Sequence, residues 1–433
     1  MSETVREQGS LIVPRRGGTP EPLEFPGGYP ERMPEFPFER LRRWPDVEAA
    51  NLFAVDASDR LILDEAAVLL DGAGPDEVVV LEDHYGALTL AAAAQLGSRS
   101  GGNPGIRVYQ DALSGEHALD RNAADLASTV PELAGLAGAY RHVQVGAELF
   151  AGARLVLLQL PRSLAALDEL AGAIARHAAP EVTVVAGGRL KHMSLAMNEV
   201  LRRHFGEVQV TPARQKSRVL LATQPIRSES AESAESVELV EPARSEWPRS
   251  VVHADLGLTV CAHGAAFAGT TIDIGTRYLL EFLDRMKPDA ATAIDLGCGT
   301  GVLAASLARR RPGLQLLATD QSAAAVASAA ATMAANGLAG QVRVLRDDAL
   351  GAQPDASAEL ILLNPPFHIG SSVHAGIALK LFEDAARVLR PGGELWTVWN
   401  THLGYRPALT RIVGPTHQVG RNTKFTVTVS TRR

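Results

Sequence analysis

Three groups of residues in the second half of the sequence have types and spacings that could do chemistry. Asn364-Pro365-Pro366-Phe367 directly follows the apolar run ELILL. A Pro-Pro step continues neither a helix nor a central strand, so it fixes an extended turn at the strand end and exposes the carbonyls beside it. The Asn364 side-chain carbonyl and the backbone carbonyl of Asn364 or Pro365 are then two acceptors, matching the two hydrogens of a planar NH2 group. Phe367 supplies a flat face for a base taken out of its stack. Upstream, Asp295-Leu296-Gly297-Cys298-Gly299-Thr300-Gly301 lies between an apolar run and a helical pattern. Its glycines let the backbone turn tightly, and the helix start offers unpaired N–H groups to an anionic group. The G-x-G-x-G spacing, with Asp295 in front, differs from the dinucleotide pattern G-x-G-x-x-G and suits a ligand with a carboxylate and ammonium head. Asp320 ends the next apolar run, a position from which a carboxylate reaches ribose hydroxyls. Asp347 and Asp348 end the third, and Asp348 is placed to accept from an adenine amino group. Each group also has a plain structural reading: a packing turn, a cap on the helix that Gln321-Ser322 starts, an exposed acidic turn. Their succession along one chain is what argues for a site.

The elements that must position these residues alternate. ATAIDLG, LQLLATD, VRVLRD, ELILLNPPF and GELWTVWN read as short strands separated by helical patterns such as GVLAASLARR and LKLFEDAARVLR. That order implies an α/β fold with a doubly wound, mostly parallel sheet covered on both faces. KFTVTVST adds a strand by its period-two, β-branched pattern. The first half repeats the order more weakly. VVVLEDHYGALTLAAAAQL echoes AIDLGCGTGVLAASLA, and IRVYQDALS echoes LQLLATDQS with Asp111 opposite Asp320. RLVLLQLPRS echoes ELILLNPPFH, and VTVVAGGRLKH echoes ELWTVWNTHL. An internal duplication is the economical reading. Glu82-Asp83-His84-Tyr85-Gly86 lacks the G-x-G-x-G spacing, and Gln159-Leu160-Pro161-Arg162 replaces the Asn-Pro-Pro-Phe acceptors, so the first copy is expected neither to bind the ligand nor to catalyse.

The boundaries follow composition. Residues 1–38 read as a flexible extension rich in Pro and charge, 39–227 as the degenerate domain, 228–249 as a Ser-Ala-Glu linker, and 250–433 as the catalytic domain. Two cysteines, Cys261 and Cys298, give no disulfide framework and no metal-ligand spacing, so no metal is expected. Neither a signal peptide nor a spanning helix is supported, and the expected place is the cytoplasm. A net charge of -7 argues against a surface that coats nucleic acid throughout and leaves room for a local patch. Arg189, Lys191, Arg214 and Lys216 are the candidates for that patch, as phosphate contacts that position RNA.

The combination resembles the class I methyltransferases that modify exocyclic amines. FAGTTIDIGTRYLLEFL, NPPFH, NTHLGY and NTKFTV are similar to the ribosomal RNA guanine-N2 methyltransferases, which carry a degenerate methyltransferase domain ahead of an active one. WPDVEAANLF, LEDHYGALT, GGRLKHMS, ARQKSRVL and DIGTRY resemble the large-subunit (23S) type, whereas AANG resembles the small-subunit (16S) type. The likeness implies two tandem Rossmann-like domains and the cofactor S-adenosyl-L-methionine. It gives Asn364, Pro365 and Phe367 the substrate-base roles, and Asp295, Gly297, Gly299, Gly301, Asp320, Asp348 and Asn364 the cofactor side. The partner it implies is ribosomal RNA, naked or in an assembling subunit, and a monomer is compatible with it. His368 is placed either to relay a proton or simply to hydrogen-bond. The residues alone leave open a protein-glutamine N5 or a DNA adenine-N6 methyltransferase, since both present the same NH2, and an RNA-binding assembly factor without catalysis.

Overall fold

Apolar runs of four to six residues become central strands because both faces of a parallel sheet are covered by helices; Val78–Leu81, for example, is buried at every position. The computed structural model describes residues 36–100, 103–227, 247–366 and 373–433. Nearly all of the expected N-terminal extension and of the linker therefore lies outside the described residues. The first half runs α1 (Ala57–Gly72), β1 (Val78–Leu81), α2 (Ala87–Ser100), β2 (Ile106–Tyr109), α3 (Leu113–Thr129), β3 (Tyr140–His142) and α4 (Ala147–Phe150). It continues with β4 (Leu155–Gln159), α5 (Leu164–His177), β5 (Thr183–Arg189), α6 (Leu195–Arg202), β6 (Phe205–Val210) and β7 (Ser217–Pro225). A hairpin of β8 (Arg249–His253) and β9 (Leu258–Ala262) precedes the second half. There follow α7 (Ile274–Leu280), β10 (Thr292–Leu296), α8 (Val302–Arg310), β11 (Gln315–Asp320), α9 (Ala323–Ala335), β12 (Val342–Arg346) and β13 (Ala358–Leu363). The chain closes with α10 (Val373–Val388), β14 (Leu389–Asn400), α11 (Arg406–Ile412), β15 (Thr416–Arg421) and β16 (Phe425–Thr431).

Among the described residues the two large sheets have seven strands each in one shared order, β3-β2-β1-β4-β5-β7-β6 and β12-β11-β10-β13-β14-β16-β15. The first five of each are parallel, and β7 and β16 run antiparallel to both neighbours. The expected strand at KFTVTVST is β16, and it lies between β14 and the more polar edge strand β15, which the sequence pattern does not announce. No helix of the described residues is long and apolar enough to cross a membrane.

The duplication holds strand by strand, with one correction to its register. Leu81 pairs with Tyr109 and Leu296 with Thr319. Glu82 N donates to Tyr109 O, as Gly297 N does to Thr319 O. Ala112 and Ser322 then occupy the N-cap positions of α3 and α9. Gln110, not Asp111, therefore stands where Asp320 stands. Apolar runs of similar length slide past one another without penalty in a sequence comparison, and only the hydrogen-bonded pairing fixes them.

Asp111 is free for another task, at the junction between the halves. Residues Pro37–Arg433 form one compact unit, and Ala112 and Ser322 form an antiparallel bridge across it. Arg346, at the end of β12, spans the junction: its guanidinium donates to the carbonyls of Gln110 (2.9 Å) and Asp111 (3.0 Å) and pairs with Glu116 at 2.8 Å. Behind it, Gly264 N donates to Glu169 at 2.6 Å while Ser163 Oγ donates to Gly264 O at 2.9 Å. A Cβ on Gly264 would lie 2.3 Å from Ala165 O, so this approach of backbone to backbone requires glycine.

The hairpin is fastened to the second half by a match of periods. Ser328, Thr332 and Asn336 lie four apart on α9 and at its end, and their side chains accept from the backbone N–H groups of His263, Cys261 and Thr259, two apart along and just past β9. Four helical residues rise about 6 Å and two strand residues about 6.8 Å, close enough for three successive bonds.

Candidate active site

The glycine turn joins β10 to α8, and Gly297, Gly299 and Gly301 all have left-handed backbone, with φ of 70°, 53° and 80°. A Cβ on Gly297 or Gly299 would meet open space, whereas one on Gly301 would lie 2.7 Å from the Met333 side chain. The first two glycines thus shape an open cradle, and the third lets α8 pack against α9. Asp320, ending β11, accepts from Gly299 N at 3.0 Å through one oxygen and from Ser322 N at 3.0 Å through the other. It ties the cradle to the loop after β11, and burial raises its pKa.

Asp295 lies beneath this turn, 1% exposed. One carboxylate oxygen accepts from Ala304 N at 2.9 Å; the other, Oδ1, is buried without a partner among the described residues. Burial, with a smaller contribution from Asp320, pushes its pKa to about 7. An anion in such a place is costly unless a cation answers it, which suits the ammonium-bearing head expected of the ligand. Binding should consequently expel a proton below pH 7. We expect cofactor affinity to fall by up to about tenfold per pH unit on acidification below about pH 7 and to level off above it. Calorimetry in buffers of different ionisation enthalpy should register the released proton, and Asp295→Asn should abolish both effects.

The two acidic residues after β12 divide their work. Asp347 is buried and accepts from Ala352 N and Gln353 Nε2, holding its own loop. Asp348 pairs with Lys380 of α10 at 2.6 Å through Oδ2, and its other oxygen has no partner among the described residues.

Asn364 follows β13, and its orientation is held from below. Its Nδ2 donates to Asp273 Oδ2 and to Thr276 Oγ1, both at 3.0 Å. With both amide hydrogens used, Oδ1 is left as a buried acceptor without a partner among the described residues. Asp273 is itself fixed as the N-cap of α7, accepting from Thr276 N at 3.1 Å. Gly275 stands beside it: a Cβ there would be 3.4 Å from Asn364 Oδ1 and 2.9 Å from Asp273 Oδ2. Sequence reasoning misses Asp273, Gly275 and Thr276 as site residues; the signal for them is the DIGTRY string, whose spacing does not announce that it meets a residue so distant in the chain. Pro365 is buried and Pro366 exposed. Phe367 and His368 lie outside the described residues.

The first half places other side chains on the same turn. Glu82 and His84 occupy the positions of Gly297 and Gly299 and keep their left-handed backbone, with φ of 59° and 62°, and Gly86 keeps that of Gly301 at 96°. The turn lacks the G-x-G-x-G residues, as its sequence shows, yet keeps the same backbone form. Asp83 turns its carboxylate onto the start of α2, accepting from Leu88 N (2.7 Å) and Thr89 N (2.8 Å). Those N–H groups are satisfied internally. Gln159, the counterpart of Asn364, donates through Nε2 to Asp59 and to Ser58 Oγ, whose own proton goes to Asp56.

The four basic residues do converge. Arg189 pairs with Ser217 across β5 and β7, and Leu190 N donates to Lys216 O at 2.9 Å, bringing Arg189, Lys191, Arg214 and Lys216 to one end of the first sheet. Lys191 and Lys216 are exposed, while Arg214 is answered by Asp64 and Glu65.

A doubly wound seven-stranded domain with an open glycine cradle, two acidic strand ends and an oriented amide acceptor defines a class I methyltransferase, here in tandem with a filled copy. Residues 257–429 match the family described as "Methyltransferase small domain", and residues 33–226 match the "RLMG N-terminal domain". The ribosomal RNA large subunit methyltransferase G of Pseudomonas paraeruginosa is 34% identical over 91% of this chain and 99% of its own. That of Streptomyces avermitilis is 32% identical over 94% and 98%. The chain belongs to the ribosomal RNA large subunit methyltransferase G family. In fold it is similar to a T. thermophilus 16S rRNA N2 methyltransferase solved with AdoMet and guanosine, with a TM-score of 0.64 at 20% identity over 87% of this chain and 92% of that one.

Proposed function

We infer that the chain transfers a methyl group from S-adenosyl-L-methionine to the exocyclic N2 amine of a guanine in large-subunit (23S) ribosomal RNA. The observation that carries this reading is the lone acceptor Asn364 Oδ1, aimed by Asp273 and Thr276. The orphaned Asp295 oxygen and the open cradle at Gly297 and Gly299 fit the cofactor, whose sulfonium supplies a methyl group to an attacking lone pair. Asp320 and Asp348 would hold its ribose and adenine. Asn364 Oδ1 and the Pro365 carbonyl would each accept one N–H of the guanine amine, drawing its lone pair out of conjugation and toward the methyl group. As the nitrogen bonds to carbon and becomes cationic, the two carbonyl dipoles hold it more strongly than in the ground state, which is the condition for catalysis. As the N–C bond forms the methyl–sulfur bond would break, leaving a neutral thioether, and the cationic amine is acidic enough to give its extra proton to water, so no strong base is required. Mass analysis of nucleosides from 23S rRNA, stripped of protein or in assembled subunits, should reveal N2-methylguanosine; transfer to a peptide glutamine or to DNA adenine would replace this reading.

The first domain's part is to position the RNA. Phosphates are held by exposed cations without regard to sequence, and exposed Lys191 and Lys216 stand with half-buried Arg189 at the sheet end described above. Reversing Arg189, Lys191, Arg214 and Lys216 to Glu should raise KM for RNA and flatten the slope of log affinity against log salt by roughly 0.7 for each single-strand phosphate that is no longer held. Cofactor affinity should not change. A KM and salt slope equal to those of the unaltered protein would remove this role.

A further inference from the structure

Among the described residues, the Asp111 carboxylate makes its hydrogen bonds to the other half. Its Oδ1 accepts from Ser322 Oγ at 2.9 Å and from Ala324 N at 2.9 Å, both in the other half. Ser322 has one hydroxyl proton, and giving it to Asp111 leaves the lone pairs facing Ala325 N, which donates to Ser322 Oγ at 3.0 Å. The same residue's backbone N–H is the donor to Asp320 Oδ1. A continuous chain of bonds thus runs from the first half, through Ser322, to the carboxylate that closes the cradle on Gly299. The loop is clamped on its other strand as well, since Leu113 N donates to Gln321 O and Ala323 N to Asp111 O. Arg346 adds a bond to Gln321 O at 3.1 Å.

We propose that Asp111 is a positioning residue for the cofactor, so that the catalytically silent half completes the ribose side of the other half's binding site. This rests on the assignment of Asp320 to the cofactor ribose. The first half is then required at two places: at its cationic edge for RNA and at Asp111 for the small ligand. The two requirements separate in the kinetics.

In the full chain, Asp111→Ala removes the acceptor for two donors while the backbone bridge and Arg346 keep the junction closed. It should raise the Kd for S-adenosyl-L-methionine about tenfold, the scale of hydrogen bonds to a charged group, and raise its KM alike while leaving KM for rRNA within about twofold. Asp111→Asn keeps Oδ1 as an acceptor and should restore most of the affinity, whereas Asp111→Leu, similar in volume but without an acceptor, should not; rescue by both would leave only a space-filling role and overturn the proposal. Asp320→Ala serves as the control. If it loses affinity and Asp111→Ala does not, this proposal fails and the cofactor assignment stands; if Asp320→Ala binds normally, the assignment itself fails. Hydrogen exchange on the unaltered protein gives a second measurement that needs no variant. Coupling is reciprocal, so added S-adenosyl-L-methionine should slow exchange at Leu113 N in the first half. Unchanged exchange there at saturating cofactor would overturn the proposal.

Discussion

Asn364→Ala is expected to lower the single-turnover rate of methyl transfer by about 10²–10³ while S-adenosyl-L-methionine binds within a few-fold of its normal affinity. The size follows from other preorganised acceptors and donors, whose loss costs about 3 kcal/mol in the barrier. What makes Asn364 strong is that its orientation is already decided before substrate arrives, because Asp273 and Thr276 consume both amide hydrogens. No reorganisation is needed at the moment of attack. Asn364→Asp should fare no better than Ala, although it retains an acceptor: a carboxylate there would face the Asp273 oxygen without a hydrogen between them, and repulsion would turn it away. Thr276→Val removes one of the two anchors and should give a smaller loss, confined to turnover. Quench-flow with labelled cofactor and calorimetry on the same preparations make the check. A near-normal rate in Asn364→Ala would show that another group orients the amine.

The second large effect is stoichiometric. Calorimetry should give one cofactor per chain, and Gly299→Arg together with Asp320→Ala should reduce binding below detection. Any side chain at Gly299 projects into the cradle from a left-handed backbone position, and Arg adds bulk and charge where the cationic ligand must lie. Glu82→Gly with His84→Gly in the first half should leave the count at one. Clearing those two side chains does not free the N–H groups that Asp83 occupies, nor does it turn Gln110 into the carboxylate that Asp320 provides. Two sites in the unaltered chain, or binding that survives the Gly299 and Asp320 pair, would show the filled copy to be functional.

Much of this is legible in the sequence because it is local. Apolar runs and helical periods announce both sheets, and the glycine turn and the Asn-Pro-Pro step are each contiguous, so their residues meet wherever the chain goes. What stays hidden depends on pairing at a distance. The partners that aim Asn364 lie at the start of α7, and nothing in the residue types of Asp273 or Thr276 separates such a role from an ordinary helix cap. A comparison of the two halves by sequence sets Asp111 opposite Asp320 because the strands before them are interchangeable apolar runs; the ladder shifts the match by one, to Gln110. Arg214 reads as a free cation until the fold places Asp64 and Glu65 beside it. The polar edge strand β15 carries too little alternation to be read alone.

Left-handed backbone costs a residue with a side chain roughly 1–2 kcal/mol, and the first half carries that cost at both Glu82 and His84. Here Asp83 clamps the helix start and Glu82 N holds the neighbouring strand, so the shape survives although its glycines are gone. The first turn therefore holds the shape of a ligand cradle on residues with side chains, where the second turn holds the same shape on glycines without that cost.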